Sequence, residues 1–148
     1  MRRIFLSMGS NVEPEKNLPA CLEKLKKKWR VLRVSSAYET DPVGPAGRSK
    51  FWNAAAEILT ERDDAGLREE LRTIEAELGR ARSSDKFASR TIDIDLLPQK
   101  DYQSQAFIVI PLAEIAAKEI EPETGRTYEE LAAALAPQGQ IKKIMYLA

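Results

Sequence analysis

Asp93 and Asp95 stand two residues apart in the stretch "SRTIDIDLL" (89–97), and apolar side chains fill every gap around them. Alternation of this kind marks a strand with one face in a core, so Ile92, Ile94 and Leu96 turn inward and the two carboxylates turn outward together. Carboxylates so placed are separated by about 6.5 to 7 Å along the chain, repel each other in isolation, and can share cations between them. Two-metal sites that act on phosphoryl groups hold their ions roughly 3.5 to 4 Å apart, a separation such a pair can bracket. A half-exposed structural strand shows the same pattern, so the neighbours must decide. Arg90 lies three residues before Asp93, and Arg80, Arg82 and Lys86 line the preceding segment. A basic loop that feeds an acidic strand suits a polyphosphate carrying Mg²⁺, with arginine on phosphate oxygens and aspartate on the metal.

The absence of histidine narrows the chemistry further. Ser-His-Asp and Cys-His catalysis, His-ligated zinc and His general bases are excluded together, which leaves carboxylate, arginine and lysine chemistry. Lys plus Arg and Asp plus Glu number 23 each, so the overall charge gives no reason to expect a nucleic-acid partner and points to a small-molecule substrate. The 148 residues, 43% of them hydrophobic, predict one domain over 1–148 with its own core. The opening "MRRIFLSMGSN" lacks the long apolar core and cleavage site of a signal peptide, and no stretch approaches the roughly 20 apolar residues that cross a bilayer. The single cysteine, Cys21, falls at an apolar helical position and reads as core. These features predict a cytoplasmic protein without a membrane partner, and no residue pattern points to a particular oligomeric state.

Elements of two periods must position the acidic pair. "RRIFLSMG" reads as a buried strand, then a loop at "SNVEP" and a helix with Leu18, Leu22, Leu25 and Trp29 at helical spacing. "VLRVSSAYET" and "FWNAAAEILT" read as strands separated by "DPVGPAGRSK", whose two prolines and two glycines predict a long loop. Asp63 or Asp64 can cap a second helix with the stripe Leu67, Leu71, Ile74 and Leu78, which Gly79 ends. After the acidic strand come a short strand at "AFIVI", a helix from "PLAEIA", a turn at "PETG", a helix at "TYEELAAAL" and a final strand at "IKKIMYL". This order predicts an α+β domain with helices packed on a mainly antiparallel sheet.

The segment "KFASRTIDIDLL" resembles the signature of the 6-hydroxymethyl-7,8-dihydropterin pyrophosphokinases, enzymes of the folate pathway that move a pyrophosphoryl group from ATP to a pterin alcohol. "LSMGSN", "SSAYETDPVGP", "FWNAAAEI" and "IEAELGRAR" fall in the family's order and spacing, and "AFIVIPLAEIA" resumes the match. The resemblance implies a ferredoxin-like type of fold and two Mg²⁺ ions used with ATP. It implies that Asp93 and Asp95 hold the metal, with Asp93 also near the attacking hydroxyl. Arg80, Arg82 and Arg90 would grip the triphosphate as catalytic and ATP-binding residues, with Glu75 near the nucleotide. Thr40, Val43 and Asn53 would meet the polar edge of the pterin, and Phe51 and Phe107 would sandwich its ring. Gly9, Ser10 and Asn11 would support that pocket through a tight turn. Phe51 and Phe87 stand where relatives often carry Tyr and Trp.

One departure is visible. Relatives carry a longer stretch after the acidic strand, with a Pro-His pair and an arginine that contacts the nucleotide, where this chain has only "PQKDYQSQAFIVI" and Gln105 at the arginine's place. Three readings follow: an active pyrophosphokinase, a pterin- or nucleotide-binding paralogue without turnover, and a transferase acting on another hydroxymethyl pterin or with another donor.

Overall fold

The computed structural model describes residues 1–40, 51–79, 92–136 and 141–147. The longest strands, β1 (Arg2–Ser10) and β4 (Phe51–Thr60), pair antiparallel along their whole length, from Arg2 opposite Thr60 to Ser10 opposite Trp52. The other side of β4 is taken by β2 (Arg30–Val34) and β3 (Ser36–Thr40) in succession. The sequence reading expects one strand here. Ser35 interrupts it, donating its N–H to the Ala55 carbonyl and accepting the Ala55 N–H on Oγ, both at 2.8 Å, so the ladder's hydrogen bonds are kept through the break. Two shorter strands complete the sheet at its edges: β5 (Asp93–Leu96) on β1 and β6 (Ile141–Tyr146) on β3. Among the described residues every pairing is antiparallel, and the order is β5-β1-β4-β3-β6, with β2 beside β4.

Two-residue alternation divides the sheet into faces. Leu6 and Met8 of β1, Ala54, Ala56 and Ile58 of β4, and Ile94 and Leu96 of β5 turn to one side. There they meet Leu18, Cys21, Leu22 and Leu25 of α1 (Pro14–Lys28) and Leu67, Leu71 and Ile74 of α2 (Asp64–Glu77). Both helices lie where their stripes predict. Asp63 caps α2 by accepting the Gly66 N–H at 2.9 Å, and Gly79, at φ +92°, ends it in the left-handed region that favours glycine. Burial pushes the Cys21 thiol up to about 12, so it is a neutral core group and no nucleophile.

The opposite face is covered by α3 (Ala106–Ala116) and α4 (Tyr128–Leu135), whose Ile108, Val109, Leu112, Tyr128 and Leu131 pack with Ala55 and Leu97. Thr127 and Glu130 form a capping box that starts α4. Here the sequence expectation needs correcting: "AFIVI" is the first half of α3 and no strand, and Pro111 lies inside that helix instead of opening it. Aromatic and β-branched residues favour strands, but α3 is apolar almost all round, so its period carries no signal, and burial between sheet and α4 overrides propensity. A second correction concerns Gly9 and Ser10, which belong to β1 and form no turn; the chain reverses after them, with Glu13 at φ +40° ahead of α1.

Candidate active site

The register of the sheet assembles a row of side chains on the face that α3 covers. Gly9 of β1 pairs with Asp93 of β5 on one side and with Asn53 of β4 on the other, and Asn53 pairs in turn with Tyr38 of β3. Cross-strand partners share a face, so Asp93 and Asn53 project together on either side of a residue that has no side chain. With neighbouring strands about 4.8 Å apart, Gly9 leaves an opening roughly 9.6 Å wide between the two backbones. A Cβ at Gly9 would stand 2.9 Å from Asn53 Oδ1, so glycine is also what gives the Asn53 amide its place. Asp95 lies one step along on the same face, opposite Ser7.

Asn53 is 5% exposed and donates from Nδ2 to Thr40 Oγ1 at 3.0 Å, which fixes the orientation of its amide. Thr40 is buried and pairs with Phe51 in the ladder. Phe51 lies two residues before Asn53 and therefore on the same face, while Phe107 belongs to the first turn of the helix that covers it. Both rings are half-buried. Four of the five residues expected at a pterin edge and ring, Thr40, Phe51, Asn53 and Phe107, thus come from β3, β4 and α3 to one side of the sheet, beside the acidic pair.

Beyond β5 a cleft of about 400 Å³ opens between the sheet edge and α2, lined by Arg68, Leu71, Arg72, Glu75, Asp93, Ile94, Asp95, Leu96 and Gln99. Glu75 is 5% exposed, and its Oε2 accepts the Ile94 N–H at 2.8 Å. An edge strand presents backbone donors with no neighbouring strand, and Glu75 satisfies one of them at the residue between the two aspartates. It therefore lines the cleft and also fixes the strand that carries the carboxylates. Arg68 and Arg72 were not singled out in the sequence. Their spacing held the signal, because Arg68, Arg72 and Glu75 follow each other at i, i+4 and i+7 and so share one helix face. Arg80, Arg82, Arg90 and Val43 lie outside the described residues, as do Lys86 and Phe87. Gln99 reaches the cleft wall; Gln105 instead immediately precedes α3, where its N–H donates to the Tyr102 carbonyl at 3.0 Å.

A second carboxylate-centred cluster occupies the other end of the same face. Glu57, 2% exposed, accepts from Arg3 at 2.5 and 2.9 Å and from Arg33 at 2.9 Å, and both arginines also reach Glu119. Burial pushes the Glu57 carboxyl up, and the hydrogen bonds and charges of Arg33 and Arg3 outweigh it, holding the group below the usual carboxylate range. Its charge is answered within the chain.

The sequence model of the 7,8-dihydro-6-hydroxymethylpterin-pyrophosphokinase (HPPK) family matches residues 5–117, from β1 to just past α3. A 2-amino-4-hydroxy-6-hydroxymethyldihydropteridine pyrophosphokinase of Pseudomonas aeruginosa is 32% identical over 156 residues, covering 94% of this chain and 95% of its own. The protein of that name from Methylorubrum extorquens is 35% identical over 156 residues, with 94% and 97% covered, and that from Bacillus subtilis is 34% identical over 136, with 80% of each. The first two alignments are longer than the 148 residues of this chain, so those relatives carry residues with no counterpart here. A family match that takes in both the acidic strand and the strands and helix around Asn53 assigns this chain to the HPPK family.

Proposed function

We propose that the protein transfers the pyrophosphoryl group of ATP to the hydroxymethyl oxygen of 6-hydroxymethyl-7,8-dihydropterin, releasing AMP and the pterin diphosphate, as a step of folate biosynthesis in the cytoplasm. The observation that carries this reading is the row Asp93–Gly9–Asn53, which sets a carboxylate pair and a buried amide on one face across a gap without a side chain. The strand order, with two β-α-β units interleaved in one antiparallel sheet, supports the ferredoxin-like type of fold.

The donor set suits Mg²⁺. Asp93 and Asp95 would supply hard oxygen ligands from one face of an edge strand that lines the cleft. That fits an ion held by one or two carboxylates that keeps its other positions for water and substrate phosphates. Two such ions, held by Asp93 and Asp95, would neutralise phosphate oxygens and make the phosphorus more electrophilic when bound. The remaining work falls to the chain's own side chains. Thr40 and Asn53 orient the polar edge of the pterin, and Phe51 and Phe107 hold the ring between them, with Val43 adding a backbone contact. Arg80, Arg82 and Arg90 bind the triphosphate, and Arg68 and Arg72 extend the positive lining along α2 beside Glu75. Asp93 stands nearer to Asn53 than Asp95 does, and so lies beside the attacking hydroxymethyl oxygen. Catalysis on this reading is positioning and charge stabilisation, which needs no histidine.

The test is incubation with ATP, Mg²⁺ and 6-hydroxymethyl-7,8-dihydropterin, followed for AMP and pterin diphosphate. Formation of both in equal amounts is expected. Pterin binding without AMP release would overturn the transferase in favour of a binding protein.

A further inference from the structure

We infer that Glu114 is a positioning residue that sets the width of the ring slot by locking α3 onto β3. The inference rests on the proposed function, since it takes Phe107 and Phe51 as the two walls of that slot. Glu114 gathers three hydrogen bonds from one strand: its Oε2 accepts the Ser36 N–H at 2.9 Å and Ser36 Oγ at 3.1 Å, and its Oε1 accepts the Tyr38 hydroxyl at 2.6 Å. Lys143 of β6 adds charge, with Nζ 3.9 Å from Oε1 and 5.8 Å from the centre of the Tyr38 ring. One residue further along α3, the Ile115 carbonyl accepts from Arg33 of β2. Among the described residues, these are the hydrogen bonds that join α3 to the sheet.

The strand they seize is the one that ends at Thr40. Tyr38 pairs with Asn53 across the ladder, and Asn53 is bonded to Thr40, so Ser36 and Tyr38 belong to the same rigid strand as the polar edge of the proposed pocket. Phe107 stands seven residues before Glu114, two turns along the same helix face and about 10.5 Å away along the axis. Its own turn is started by the Ile108 and Val109 N–H groups, which both donate to the Gln105 carbonyl at 3.0 Å, but it lacks two other local bonds. Gln105 gives the helix no side-chain cap, and Pro111 has no N–H to donate to the Phe107 carbonyl. The place of Phe107 is therefore set by the packing of Ile108 and Leu112 and by the anchor at Glu114. A carboxylate that merely satisfied Ser36 and Tyr38 would stabilise the protein without favouring one substrate, and that difference can be measured.

The experiment compares Glu114→Ala, Glu114→Gln and Tyr38→Phe by pterin and ATP KM, by calorimetric pterin binding and by Tm. Glu114→Ala is expected to raise the pterin KM and Kd roughly tenfold or more, because a small displacement of a contacting group is enough for such a loss. The ATP KM should stay within about twofold of wild type. Glutamine keeps the shape and one acceptor and should recover much of the loss, with Tyr38→Phe between it and wild type. A folded Glu114→Ala with wild-type pterin affinity overturns the inference, and so does a parallel rise in both KM values. Should the alanine variant fail to fold, unchanged pterin Kd in both Glu114→Gln and Tyr38→Phe has the same force. A wild type that binds pterin but releases no AMP sinks the transferase reading and leaves this anchor testable by binding; one that binds no pterin overturns both.

Discussion

Two carboxylate clusters occupy the same face of the sheet, and they differ in where they sit, one on a central strand and one on an edge strand. Glu57 lies in the middle of β4 under Arg3 and Arg33, closed off from water by cations that the fold itself delivers. Asp93 and Asp95 lie on the edge strand and open into a cleft whose other wall carries Arg68 and Arg72. The residue types are the same in both places: acids, with arginines nearby. A central strand sets its carboxylate among partners from neighbouring elements on both sides, whereas an edge strand sets its carboxylates against a cleft that a ligand can enter. Position in the sheet, more than composition, separates the structural cluster from the candidate catalytic one.

The sharpest way to break this comparison is at Asp95. Asp95→Ala is expected to lower the transfer rate by about a hundredfold or more at saturating Mg²⁺, with an unchanged Tm, because the side chain faces the cleft and not the core. Near-normal turnover in that variant would make the acidic pair as structural as Glu57.

The converse substitution is Glu57→Gln. It should cost about 2 kcal/mol of stability, discounted from a fully buried pair because Arg3 and Arg33 are half-exposed, and should leave both KM values unchanged. Glu57 also predicts a pH dependence. Its folded pKa lies below the unfolded value near 4.3, so its contribution is complete above that value and disappears as the pH falls through the folded pKa. The Glu57 contribution to the melts of wild type should therefore stay constant from pH 7 to 5, and the wild-type Tm should fall below about pH 4 more steeply than that of Glu57→Gln. Parallel curves would show that the cluster is not held by its charges.

Gly9→Ala probes the gap between the two ends of the row. The new methyl presses on Asn53 Oδ1, so pterin affinity should fall roughly tenfold while ATP affinity, measured separately by calorimetry, is kept. The smallest effect is expected on the outer wall of the cleft. Arg72→Ala should weaken ATP binding about two- to fivefold, the scale of an exposed charge contact, and the effect should shrink with added salt. An effect on pterin instead of ATP would place the nucleotide elsewhere.

Much of this was legible in the residues alone, for reasons that are local. The period of two in "TIDIDLL" assigns Asp93 and Asp95 to one face, the period of 3.6 in α1 and α2 assigns their buried stripes, and Asp63 and Gly79 mark the ends of α2 through capping and backbone conformation. Such signals depend on neighbours within a turn or two, so a single chain of letters carries them. Where the local signal is absent, as in α3, which is apolar almost all round apart from Glu114, strand propensity misleads. Register is of another kind. That Gly9 separates Asp93 from Asn53, that Glu75 bonds the strand between the two aspartates, and that Glu114 ties α3 to Ser36 and Tyr38 all join residues from 19 to 84 positions apart. No periodicity encodes such pairings, because hydrogen-bond register and helix docking are settled by how whole elements pack. The amino-acid sequence determined which groups could do phosphoryl chemistry, and the tertiary structure decided which of them meet.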